Sequence, residues 1–181
     1  QRVAAFVACL SMLATRRLEA ASDLEMMDLA VSSLYQESKD AIVRVYSQRT
    51  LLIGGLAFRS QPWVGTGFFI DGRGHLLTAA TVVRDPGNCW IDWGDQRVAA
   101  RVLGSDPDTN LALLQVDPEK CVGAGRRMPF LLQGDSDELK VGSMVIAVGF
   151  PRDLPSAPSV GFVAGFDVKG GSRPFITSHF R

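Results

Sequence analysis

Gly65-Thr66-Gly67-Phe68-Phe69-Ile70-Asp71-Gly72-Arg73-Gly74-His75-Leu76-Leu77-Thr78-Ala79-Ala80-Thr81-Val82-Val83 contains two apolar runs separated by one polar, glycine-bearing tetrapeptide. Runs of five to seven residues rich in Phe, Ile, Leu and Val are too short for buried helices, and a D-G-R-G break supplies the positive-φ positions of a tight turn. The stretch is therefore read as strand, hairpin turn, strand. Outward from it the pattern repeats. Short apolar or alternating segments at 41–48, 51–59, 65–71, 75–79, 89–93, 97–104, 111–116, 130–133, 144–150, 159–168 and 174–178 are bounded by Gly, Pro, Asp and Asn. A second turn is expected at Trp93-Gly94-Asp95. Strands at this spacing, with few helical windows between them, indicate an all-β barrel or sandwich.

The one helical window is 23–39, where Leu24, Met27, Leu29 or Ala30, Leu34 and Tyr35 recur at approximate helical spacing behind Ser22 or Asp23 as cap. Before it, Val3 to Ala14 is apolar apart from one serine and follows Arg2, and small residues come at Ala20-Ala21-Ser22. A positive flank, a short apolar core and a small-residue site are the pattern of a secretory signal, and the run is shorter than the ~20 residues of a membrane span. A buried amphipathic helix is the alternative. Cys9, after Phe6-Val7-Ala8, loosely resembles a lipoprotein acylation site, although Phe6 fits poorly and packing within the signal core is preferred.

The 181 residues are 46% hydrophobic and 21% charged, the mixture of a globular domain with a real core. Nineteen basic and nineteen acidic residues leave no net charge, so nucleic acid is not an expected partner. Three cysteines and two histidines lack local ligand spacing, so no structural metal and no cofactor are expected. In an oxidising compartment Cys89 and Cys121 can pair or stay as two half-buried thiols; both readings stand. Trp63, Trp90 and Trp93 are read as barrel packing and rim anchors in preference to an exposed peptide-binding patch.

The 65–83 stretch resembles the strand, hairpin and strand of trypsin-like serine proteases of the HtrA (DegP-like) family. Three further segments resemble that family in order. They are Gly104-Ser105-Asp106-Pro107-Asp108-Thr109-Asn110-Leu111-Ala112-Leu113-Leu114; Gly134 to Gly142 with Val145-Ile146-Ala147-Val148-Gly149-Phe150-Pro151; and Ser159-Val160-Gly161-Phe162-Val163. The resemblance implies an all-β, chymotrypsin-type double β-barrel. On it, residues 1–22 are a signal-like segment and 23–40 a short N-terminal helix. Residues 41–133 form a nearly complete first barrel, and 134–181 a linker with the opening strands of a truncated second barrel.

Acyl transfer by such enzymes needs a base on the nucleophile, an acid that orients the base, and an oxyanion hole. The resemblance places Thr81 at the base position, where a neutral hydroxyl takes no proton near pH 7, and Asn110 at the acid position, where an amide does not stabilise an imidazolium. No G-x-S-G-G stretch occurs, and the sequence stops at Arg181, shortly after Phe175 to His179 match the strand preceding the nucleophile. No catalytic residue is intact in this reading. His75 is read as a strand residue; His179 could line the specificity side of a cleft. Asp106, Asp108, Asp135 and Asp137 are turn and cap residues, and Ser136 and Ser159 match structural positions.

Three functions remain. The first is an exported pseudoprotease that binds unfolded or extended polypeptide; the second, a serine endopeptidase whose serine loop lies past residue 181. The third is a non-catalytic partner of active relatives, assembling as a homo-oligomer, a trimer, through the N-terminal helix.

Overall fold

The computed structural model describes residues 22–151 and 154–166. It divides into two units, residues 1–37 and 38–181. In the first, residues 22–38 are helical (α1), and a single turn of helix links Ser33 Oγ to Glu37 Oε1 at 2.9 Å. Residues 1–21 of the signal-like segment, Cys9 among them, His179 and the expected strand at 174–178 lie outside the described residues.

Among its described residues the second unit has ten strands and one short helix. They are β1 (Ile42–Ser47), β2 (Thr50–Ile53), β3 (Leu56–Arg59), β4 (Trp63–Phe69), β5 (His75–Ala79), β6 (Cys89–Trp93), β7 (Gln96–Asp106), β8 (Leu111–Val116), α2 (Pro118–Val122), β9 (Met144–Gly149) and β10 (Ala157–Phe162). Six strands close into a barrel in the order β1-β4-β5-β8-β7-β6, and β1 returns to pair with β6. The mostly β architecture with a short N-terminal helix is the one expected.

Alternation drives the closure. Every second residue points inward: Val43, Val45 and Ser47 on β1, Leu76 and Thr78 on β5, Cys89 and Ile91 on β6, Val98 and Ala100 on β7, Ala112, Leu114 and Val116 on β8. Phe69 and Met128, both fully buried, complete the core. The β7–β8 register shifts between Val102 and Gly104, a bulge before the turn that holds Asn110.

The Asp71–Gly74 and Gly94–Asp95 turns form where expected. The segment 51–59 does not run as one strand. Gly54 and Gly55, at φ +59° and +83°, turn it back on itself, so that β2 and β3 make a separate two-stranded sheet. The apolar run 130–133 is not a strand either; only Leu131 N–H reaches the barrel, donating to Phe69 O at 2.9 Å. In the second half, β9 and β10 form an antiparallel pair, Met144↔Phe162 to Gly149↔Ala157.

Gly74 tests this packing. Its φ is +85°, and an added Cβ would stand 2.5 Å from the Val116 carbonyl oxygen, a backbone atom with no room to yield. Gly74→Ala is expected to lower stability by at least ~2 kcal/mol in urea unfolding. Gly94→Ala, also at positive φ but with nothing within 4 Å of the new atom, is expected to cost only ~1 kcal/mol.

Candidate active site

β5 ends at Ala79 and the chain makes one 3-10 turn, Ala80–Val82, that carries Thr81 outward and Val82 inward. Gly65 on the neighbouring β4 is what seats Val82: a Cβ there would fall 2.3 Å from Val82 Cγ2. The turn is then fixed from both sides. Ala80 N–H donates to Asn110 O at 3.0 Å, and Arg84 N–H donates to Val82 O at 3.0 Å. Arg84 and Asp85 N–H also donate to Ser47 Oγ, at 3.0 and 2.9 Å. Ser47 is fully buried in the inward register of β1, and its hydroxyl accepts from two backbone donors of the loop that follows the turn.

Thr81 and Asn110, 29 residues apart in sequence, meet here. Thr81 N–H donates to Asn110 Oδ1 at 3.1 Å. Asn110 holds a left-handed backbone, φ +56°, which asparagine tolerates better than most residues. Its amide oxygen therefore ties the two loops together through the backbone. The contact is structural, and the Thr81 hydroxyl is a neutral group that takes no proton near pH 7.

His75 lies at the other end of β5, separated from Thr81 by about 15 Å of strand at ~3.3 Å per residue. It has its own acid. Asp71 Oδ2 stands 2.7 Å from His75 Nδ1 and 3.1 Å from Arg73 Nε, while Asp71 Oδ1 accepts from Arg73 N–H (2.9 Å) and His75 N–H (3.2 Å). Partial desolvation pushes the Asp71 carboxyl up, but the hydrogen bonds from the His75 ring and from the Arg73 and His75 amides outweigh it and hold it at about 2. His75 thus locks the hairpin turn. Asp106 is a turn residue too: Thr109 Oγ1 (2.7 Å) and Asp108 N–H (3.0 Å) bond to it, and those bonds lower its carboxyl below the ordinary range. Asp135 caps the turn at Ser136–Glu138 through Asp137 N–H at 2.9 Å.

Cys89 and Cys121 are both free thiols. Burial pushes each thiol up, and Cys89 Sγ donates to Asp85 O at 3.2 Å. Trp90 stacks on Tyr46 at 5.4 Å and Trp93 meets Phe69 edge-on at 6.0 Å, which is packing. Trp63 is half exposed beneath the Arg84 guanidinium, 4.2 Å from its ring. Among the described residues no group of three His, Cys, Asp or Glu side chains is placed to hold a metal.

Sequence reasoning missed the joint between the barrel and β9. Thr66 Oγ1 on β4 accepts from Phe150 N–H at 3.0 Å. Arg44, its register partner on β1, lies over the Phe150 ring at 4.7 Å and donates to Leu154 O at 2.9 Å. Gly149 is needed there, since a Cβ would sit 2.8 Å from Thr66 Oγ1. The signal available in the sequence was Arg44 and Thr66, polar residues facing outward from strands otherwise apolar.

A family model described as a trypsin-like peptidase domain matches residues 65–179. Similar curated proteins are named probable periplasmic serine endoproteases, DegP-like. The one from Chlamydia trachomatis serovar D is 36% identical over 101 residues, covering 55% of this chain and 19% of the relative. Those from Pseudomonas putida F1 and Pseudomonas fulva are 35% and 33% identical over 117 and 122 residues, covering 64% and 67% of this chain and 22% and 23% of the relatives. The chain thus spans about a fifth of the length of the relatives it matches.

Two measurements check the site. A carboxyl held at about 2 instead of the ordinary 3.8 stabilises the fold above the ordinary value, and that contribution disappears as pH falls from 3.8 through 2. The gap in urea midpoint between wild type and Asp71→Asn is expected to be full at neutral pH and to narrow across that window. Ser47→Ala removes the acceptor of the Asp85 N–H and one of the two acceptors of the Arg84 N–H, and is expected to cost about 1 kcal/mol in the same assay.

Proposed function

The chain belongs to the trypsin-like peptidase family, on its HtrA (DegP-like) branch, and from that premise we propose that it is a pseudoprotease domain that binds unfolded or extended polypeptide. The observation that carries this is the pair at the end of β5. The base and acid positions implied by the resemblance fall on Thr81 and Asn110, whose mutual contact is a backbone N–H to an amide oxygen. A working triad loses about 10⁴ in rate when the acid alone becomes an amide, and here the imidazole is absent too. Among the described residues the His–Asp pair, His75 with Asp71, is committed to a turn at the far end of the strand.

Binding without chemistry has a structural basis in the β9–β10 sheet, whose two outer edges pair with no other described strand. An extended peptide adds to such an edge through main-chain hydrogen bonds, which read no sequence and suit unfolded chains. The relatives are named periplasmic, and export of this chain through residues 1–22 belongs to the same proposal. No helix among the described residues is long and apolar enough to cross a membrane. Exposed Leu24, Met26, Leu29 and Leu34 on α1 support assembly into a homo-oligomer through that helix.

The test is cleavage of unfolded casein by the gene's complete product, wild type against Thr81→His plus Asn110→Asp. Silent wild type with an active revertant is the expected outcome. Cleavage by wild type, abolished by a serine-directed inhibitor, overturns the reading in favour of an active endopeptidase with a different base. If both proteins are silent, retention of casein on immobilised wild type is required for the binding role to stand.

A further inference from the structure

The β2–β3 hairpin is unlike the rest of the barrel unit. Leu51, Leu52, Ile53, Leu56 and Phe58 are 42–76% exposed. Its register, Leu51↔Phe58, Leu52↔Ala57 and Ile53↔Leu56, puts Leu51, Phe58, Ile53 and Leu56 on one face. Leu52 and Ala57 share the other with Thr50 and Arg59. A hairpin that lies on a protein partner buries one face and keeps the other polar. Here both faces are apolar toward the Gly54-Gly55 tip, so a flat partner would leave half of the apolar surface in water. An environment that surrounds the tip satisfies both faces.

Arginine predominates at its base. Arg49 and Arg59 flank the hairpin and are exposed, and Arg84 stands over the half-exposed Trp63 at the start of the next strand. Residues 41–70 contain three arginines and no Asp or Glu. The neighbouring acid is Asp85, whose Oδ1 is occupied by Gly87 N–H at 3.0 Å.

We propose that this hairpin is an interfacial anchor that inserts its apolar tip into the surface of an anionic phospholipid membrane, with Arg49 and Arg59 on the headgroup phosphates. Four residues per strand reach about 13 Å from base to tip, a little more than the ~5–10 Å to which interfacial segments bury. The outer edges of the two strands carry unpaired backbone groups, which forbid the hydrocarbon centre and set the depth at the headgroup boundary. Phe58 and Trp63 are of the aromatic type that resides at that level. Each arginine near an anionic surface strengthens binding several-fold, in a manner that salt screens. The inference does not depend on whether the domain cleaves peptides.

The experiment is cosedimentation of the complete chain with vesicles of phosphatidylglycerol and phosphatidylcholine, and with phosphatidylcholine alone. Wild type is expected to bind the anionic vesicles more tightly, and less so at high salt. Leu52→Asp with Ile53→Asp is expected to lose binding by about tenfold or more, at unchanged circular dichroism and thermal midpoint. Arg49→Glu with Arg59→Glu is expected to lose the preference for anionic vesicles. As a second readout, Trp fluorescence of Leu52→Trp should be quenched by brominated lipid. Absent vesicle binding overturns the proposal. So does full binding by the double aspartate variant, which would place the contact elsewhere in the chain, such as residues 1–22. Loss of casein capture by that variant without any vesicle binding would reassign the hairpin to unfolded polypeptide.

Discussion

Strand β1 is held along both edges, by β4 over all six residues and by β6 over the last three, and this double pairing closes the barrel. Its inward residues Val43 and Val45 join the core, and Ser47, next in the same register, anchors the loop that follows the Thr81 turn. Its outward Arg44 reaches Phe150 and Leu154. Core, candidate site and the joint to β9 therefore hang on one strand. A change that frays β1 is expected to open the barrel, loosen the loop after the Ala80–Val82 turn and weaken the joint to β9 together.

The fold was legible because its signals are local. Period-2 apolar alternation in β5 to β8 and the Asp-Gly-Arg-Gly and Trp-Gly-Asp turns each act within a few residues. The two misreadings have the same cause. An apolar run counts as a strand only when a neighbour pairs with it, and neither Phe130-Leu131-Leu132 nor the full span 51–59 has one. Gly54-Gly55 was the missed signal in the second case: two adjacent glycines amid aliphatic residues permit the successive positive φ values of a hairpin turn.

At the candidate site, the resemblance brought Thr81 and Asn110 to one place. How they touch was beyond the sequence, since it depends on a left-handed backbone at Asn110 and a 3-10 turn at Thr81. The role of His75 was legible only in outline: a strand position is visible in the pattern, but the fourfold engagement of Asp71 that gives it a purpose is a matter of turn geometry. Ser47 was the polar exception in an inward register, and such exceptions mark residues that serve a neighbouring loop.

The bond from Thr81 N–H to Asn110 Oδ1 has a consequence for inheritance. Asparagine and aspartate present a side-chain oxygen at the same point, and both tolerate a left-handed backbone. The loop geometry is therefore blind to which of the two is present. Folding selects for an oxygen at position 110, while only chemistry would select for its charge. A lineage can cross between the two by a single substitution without passing through an unfolded protein. In such a scaffold catalytic competence and structural integrity drift under separate pressures, and an intact barrel is no record of whether its ancestors cut peptide bonds.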